Sequence, residues 1–244
     1  MNRNSNVYTI VYATVLTVVV AVLLAVASLG LKDKQKKNLD NEKKMMILAA
    51  IQSKLDKEPT LDNAGDIWAQ LKMDEGSFAV SPTGQRLALT PAEVFEIVPK
   101  QQFARGEVKA DAQLPVFKAS VLGKDYYILA LYGAGLWDAI WGYMAVEADG
   151  STVAGANFDH AGETAGLGAK IKDDPAFAAS FVGKHLFAAD GDYTGVPVLK
   201  AGKRADKGDQ VDAITGATMT SNGVSDMIYN SVKGYVPFLK SLNK

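Results

Sequence analysis

The sequence predicts an α+β fold: a single N-terminal transmembrane helix followed by a domain of antiparallel sheet with flanking helices. Three observations carry this. The 25 residues from Val7 to Leu31 contain no charge. Between residues 114 and 158, β-branched and aromatic residues alternate in runs joined by tight-turn signals, as in a meander of hairpins. Helical spacing returns on both sides of those runs, so helices and strands are segregated along the chain.

Composition bounds the rest. The chain has 244 residues, 48% of them apolar, enough for a substantial core. A net charge of -1 gives no basic field, and no zinc finger, P-loop or arginine-rich arm is present, so no nucleic-acid partner is expected. Cysteine is absent, which excludes disulfides, thiolate metal sites and cysteine nucleophiles. The two histidines, His160 and His185, lack the spacing of a zinc site, and no metal is expected. Redox chemistry in such a chain needs a borrowed cofactor.

After a short tail at residues 1–6, Val7 to Leu31 would form a helix about 37 Å long, enough to cross a hydrocarbon core with some tilt. Tyr8 and Tyr12 suit the interface of the lipid bilayer. A cleaved signal peptide is the alternative, because Arg3 precedes the run and Ala25-Val26-Ala27 resembles a cleavage site. The run exceeds the usual signal length and favours a retained anchor. Lys32, Lys34, Lys36 and Lys37 follow the span, and by the positive-inside rule they would keep the domain in the cytoplasm.

Residues 32–59 read as a juxtamembrane helical segment. "KDKQKKNLDNEKK" is a solvated extension of the helix, and "MMILAAIQSKL" continues helical spacing through Leu55 until Glu58-Pro59 ends it. The domain follows at 60–244. It opens with mixed short elements, of which the "SPTGQR" turn and the Pro91-initiated "PAEVFEIV" helix are the clearest. The strands "LPVFKASV", "DYYILALYG", "GYMAVEA" and "TVAGANF" come next, with turns at 122–124 and 149–150. A helix is expected near Pro175 to Val182, then the basic stretch "LKAGKRADKG". In the closing helix Val224, Met227, Ile228 and Val232 share one face, with Ser221 or Thr220 as N-cap.

Three stretches carry more glycine than their surroundings need: "YGAGLWDAIWGY", "HAGETAGLGAK" and "DAITGATMTSNG". Singly they read as a strand-end turn, a surface loop and a helix start. Together they offer backbone N–H groups, close approach, an aromatic and leucine surface, and a helix N-terminus that stabilises an anion. That set suits a flat aromatic ligand carrying a phosphate. A Rossmann fingerprint is missing, because "GLGAK" lacks the third glycine and any βαβ unit. No G-x-S-x-G elbow exists either. Asp159, His160 and Glu163 read as an acid/base cluster or as a polar turn.

Asp212 to Thr218, "DAITGAT", fits the flavinylation pattern D-x-x-[ST]-G-A-[ST]. With "LPVF", "YGAGLWDAIWGYMAVE", "HAGETAGLGAKI" and the ending "DAITGATMTSNGVSDMI…YVPFLK", the chain resembles the C-subunit family of sodium-translocating NADH:quinone oxidoreductases. The resemblance implies FMN bound covalently, as a phosphoester of Thr218, in a turn that includes Thr215, Gly216 and Ala217. It implies an isoalloxazine lying against Leu136, Trp137, Glu163, Thr164, Gly166, Leu167 and Gly168, with Lys200 near the ring or phosphate. Asp212 would be recognised by a separate flavin transferase.

The expected role is to relay electrons one at a time among the other membrane subunits of a sodium-pumping complex, without oxidising NADH directly. The FMN-binding domain would lie on the periplasmic side of the bacterial inner membrane, against the lysine-based orientation. The related G subunit of the Rnf electron-transport complex shares the anchor and threonine motif and is the nearest alternative. An extracytoplasmic flavin-binding sensor is the alternative of another class. One departure is Ala165, where the family usually has proline in "ETPGLG".

Overall fold

The computed structural model describes residues 6–104, 106–199 and 208–242. The chain divides into two compact units, 1–43 and 44–244. Helix α1, Asn6–Ala49, runs 44 residues without interruption through the apolar stretch and the lysine-rich stretch after it. Its apolar window has a mean hydropathy of 2.8, and the helix is long and apolar enough to cross a membrane. The charged stretch stays helical because Lys, Gln, Glu and Leu are good helix formers.

The helical spacing through Leu55 is only partly realised. Helix α1 stops at Ala49, and a 3-10 turn covers Gln52–Lys54. Gln52 and Ser53 are exposed, so a further α-turn there would have no apolar face to pack, and packing supplies most helical stability in proteins.

Short helices α2 (Ala64–Gln70) and α3 (Met73–Gly76) lead to strand β1, Phe78–Val80. Helix α4, Pro91–Glu96, begins as its sequence suggests. Thr90 and Glu93 form a reciprocal capping box, with Pro91 inside it. Helix α5 (Pro99–Gln102) precedes a small ladder of β2 (Phe103–Ala104) and β3 (Glu107–Val108). The main strands follow: β4 Leu114–Val121, β5 Lys124–Ala134, β6 Ala139–Glu147 and β7 Val153–His160. They join β1 in a five-stranded antiparallel sheet of order β1-β4-β5-β6-β7. Helices α6 (Lys170–Asp173), α7 (Pro175–Ala179), α8 (Thr218–Lys233) and α9 (Val236–Leu242) complete the domain.

The sheet is buried on both faces, and the period-2 alternation sorts residues between two cores. Along β5, Leu129 and Leu131 face one core with Val116, Met144 and the α8 residues Val224, Met227, Ile228 and Val232. Ile128 and Ala130 face the other with Phe117, Tyr143, Trp68 and Ile47. Both parities are therefore apolar, which is why these strands read as near-continuous hydrophobic runs. Tyr235, fully buried after α8, donates its hydroxyl to Pro115 O at 3.1 Å and accepts Ala130 N–H at 3.3 Å. Burial pushes its phenol well above the ordinary tyrosine range, so the hydroxyl stays a donor.

The expected N-cap of the last helix is corrected. Helix α8 starts at Thr218, so Thr220 and Ser221 lie inside its first turn, and Ala217 holds the cap position without a side-chain bond. The turn at Gly216, whose φ is +78°, already redirects the chain, and the helix follows at once. Ser221 Oγ instead reaches back to accept Ile214 N–H at 3.0 Å.

Helix α8 lies so close to the end of β5 that side chains are excluded there. A Cβ at Gly223 would stand 2.3 Å from Ala134 O, and one at Gly133 would stand 2.6 Å from Met227 Cβ. Alanine at 223 gains about 1 kcal/mol of helix propensity. Overpacking typically costs about 1–3 kcal/mol, and a backbone carbonyl cannot swing aside as a side chain can. With the cost at the upper end of that range the net loss is about 2 kcal/mol, and Gly223→Ala should lower Tm by about 4–8 °C in thermal unfolding. An unchanged or higher Tm would contradict this packing.

Candidate functional site

The three glycine-rich stretches meet where the β5–β6 hairpin turns. That hairpin closes with Ala134 opposite Ala139, and Gly135 N–H donates to Asp138 O at 2.8 Å. The tight loop leaves Leu136 and Trp137 projecting, 48% and 70% exposed. After β7, His160 Nδ1 accepts Glu163 N–H at 3.1 Å, and Thr164 O accepts the N–H groups of Leu167 and Ala169, both at 3.1 Å. Gly166 has φ +73° in this loop. The third stretch makes a turn in which Ala217 N–H donates to Ile214 O at 3.0 Å, with positive φ at Gly216 as a type II turn requires.

Glu163 joins the three. The residue is only 7% exposed. Oε1 accepts Leu136 N–H at 2.8 Å and Trp137 N–H at 3.1 Å, while Oε2 accepts the Thr220 hydroxyl at 2.6 Å. Neutral donors thus satisfy a buried carboxylate. Glycine makes room for it on two sides. A Cβ at Gly135 would lie 2.3 Å from Oε1, and one at Gly168 would lie 2.4 Å from Oε2 and 2.6 Å from Thr220 Oγ1. Beside it, Trp137 Nε1–H donates to Thr164 Oγ1 at 3.1 Å, and Leu167 Cδ2 lies 2.9 Å from where a Gly216 Cβ would be.

These contacts bring together Leu136, Trp137, Glu163, Thr164, Leu167, Gly168 and Gly216. Gly166 is exposed in the same loop, Ala217 is buried, and Thr215, Thr218 and Asp212 are exposed along the turn. Lys200 lies outside the described residues. Sequence reasoning missed Thr220, Gly135 and the exposed Met219. Thr220 stood among similar hydroxyls in "TMTS", and no local pattern ties it to a carboxylate 57 positions earlier.

Chemically, the arrangement pairs an apolar platform with an anion site. Leu136, Trp137, Leu167 and Met219 are exposed large apolar side chains. The first bond of the α8 ladder is Ser221 N–H to Ala217 O at 2.9 Å, so the N–H groups of Thr218, Met219 and Thr220 precede the ladder. With the dipole of a 16-residue helix, they make a favourable place for negative charge. The residues 159, 160 and 163 form a polar turn rather than an acid/base cluster. Asp159 pairs with Lys172 at 2.8 Å, and His160 accepts a backbone N–H. Among the described residues, no group of three or more His, Asp or Glu side chains is placed to hold a metal ion.

Residues 135–233 match a family described as an FMN-binding domain, an interval that contains all three glycine-rich meeting points. Over nearly its whole length the chain is similar to the C subunits of Na(+)-translocating NADH-quinone reductases. It is 32% identical to that of Vibrio vulnificus (strain YJ016) over 92% of this chain and 90% of the relative. It is 32% identical to that of Pasteurella multocida (strain Pm70) over 99% and 96%. The crystal structure of the corresponding C subunit from Parabacteroides distasonis superposes with a TM-score of 0.74 at 38% identity, covering 86% of this chain and 96% of that one.

Removing the Glu163 carboxylate strips the buried Thr220 hydroxyl of its acceptor, which typically costs about 1–3 kcal/mol, and also releases the Leu136 and Trp137 amides. Glu163→Ala should lower Tm and accelerate hydrogen exchange at those two amides more than at β4 or β5 amides. Unchanged exchange at both would contradict the bridging role.

Proposed function

The chain belongs to the C-subunit family of Na(+)-translocating NADH-quinone reductases, and from that premise we propose that it is the membrane-anchored electron-transfer subunit of such a complex, with FMN carried on Thr218. The relatives named above are C subunits, which favours this reading over an Rnf G-type subunit or a sensor module.

FMN combines a flat ring, a flexible chain and a phosphate, and the residues fit each part. The observation that carries the reading is the Glu163 bridge, which ties the start of α8, where Thr218 is exposed, to the loop that carries exposed Leu136 and Trp137. Bound FMN supplies a redox centre that accepts and releases electrons. Thr218 Oγ1 would hold its phosphate through an ester, with the N–H groups at the start of α8 facing the remaining charge. Leu136, Trp137 and Leu167 would pack on the ring, with the Thr164 hydroxyl held by the Trp137 indole. Gly166, Gly168 and Gly216 would let the backbone approach it, and Glu163 would hold the loops in place. Thr215 and Ala217 would complete the attachment turn, and Lys200 would lie near the ring or phosphate.

Attachment falls to a flavin transferase that recognises Asp212 and the following turn. In that transfer Thr218 Oγ1 gives up its proton and bonds to the flavin-side phosphorus of FAD, the P–O bond linking the two phosphates breaks, and AMP leaves as the protonated product carrying the adenosine-side phosphate. The other subunits of the complex are its electron-transfer partners. In our reading residues 7–31 span the inner membrane, 32–59 form the juxtamembrane segment, and 60–244 form the FMN-binding domain on the periplasmic side. Large domains translocate largely regardless of flanking charge, so Lys32 to Lys37 do not bar this orientation.

Full-length protein made with a flavin transferase should give a fluorescent band on a denaturing gel under ultraviolet light. Protein made without the transferase, and Thr218→Ala made with it, should give none. A fluorescent Thr218→Ala band would sink the attachment site. For topology, a C-terminal reporter that works only outside the cytoplasm should be active, and activity only from a cytoplasmic reporter would reverse the orientation.

A further inference from the structure

We propose that Thr220 is a positioning residue: with Glu163 it forms a latch that fixes the start of α8, and so Thr218, against the Leu136–Trp137 platform. This rests on the FMN reading above.

Thr220 is 1% exposed and lies two residues after Thr218 in the first turn of α8. A helical threonine hydroxyl commonly bonds back to a carbonyl of its own helix. This one leaves its helix and donates to Glu163 Oε2 at 2.6 Å. The other oxygen of the same carboxylate holds the Leu136 and Trp137 amides. Because both oxygens share one carbon, the helix start and the platform loop are held at one separation. Gly135 and Gly168 are the second observation, since a Cβ at either would displace the carboxylate. The contact is therefore accommodated from two separate loops.

The latch adds hydrogen bonds rather than apolar burial, and the α8 face around Val224 and Met227 already docks the helix on the sheet. What it adds is register between anchor and platform. A group tethered through a flexible chain keeps much of its rotational freedom unless tether and seat are held at a set distance. Without the latch, the tether on Thr218 would persist while the seat loosened.

The test uses full-length protein coexpressed with a flavin transferase. Thr220→Val keeps the size and β-branching and removes the donor. It should still be labelled on Thr218, with lower flavin fluorescence anisotropy, weaker visible circular dichroism and a midpoint potential shifted toward that of free FMN. Thr220→Ser, which keeps the hydroxyl, should restore all three. A purely structural role would lower Tm and leave the flavin signals in place. Should the valine variant fail to fold, Thr220→Ala, with its higher helix propensity, carries the same expectation. A labelled Thr220→Val or Thr220→Ala with wild-type anisotropy, dichroism and potential overturns the latch alone. An unlabelled wild type, or a labelled Thr218→Ala, overturns the attachment reading and the latch with it.

Discussion

The candidate site depends on the close approach of α8 to the end of β5. Backbone meets backbone where Gly223 faces Ala134 O, and Gly133 leaves room for Met227. A side chain at either glycine would push the helix away. Held this close, the start of α8 stands beside the β5–β6 loop, and residues far apart in sequence share one surface. The apolar face of the helix supplies the burial energy, while the glycines set the distance at which it is realised.

From that distance the division of labour follows. Trp137 and Leu136 project because a tight loop gives them nothing to pack beneath, and such an exposed apolar cluster invites a ligand or a partner. Thr218 is exposed because the turn at Gly216 brings the chain straight into the helix, with no side-chain cap in between. Glu163 is buried because three neutral donors converge on it. Its negative charge and that of a phosphodiester would share one neighbourhood. A helix N-terminus suits the phosphate, and dedicated hydrogen bonds suit the carboxylate.

Much of this was legible in the sequence. The four long strands announced themselves through alternation and turn signals, and β4 reproduces "LPVFKASV" to the residue. Strand β1 and the β2–β3 ladder were not readable, because two or three residues carry no periodicity. The three glycine-rich stretches were visible as a composition anomaly, and their shared chemistry pointed to one site. The role of Glu163 was not visible, since its partners lie 26, 27 and 57 positions away and only the fold brings them together. Ser221 misled for a related reason. It has the residue type of an N-cap, but the turn before it had already begun the helix, so its hydroxyl serves Ile214 instead.

Everything proposed for this site turns on one hydroxyl, that of Thr218, as the carrier of the flavin where these segments meet. Tandem mass spectrometry of a proteolytic digest of full-length protein matured with flavin transferase reads that hydroxyl out. The expected result is a single FMN-sized addition per chain, localised by fragmentation to Thr218. An addition on Thr215, Thr220 or any other residue, or FMN recovered only in free form after denaturation, would contradict it.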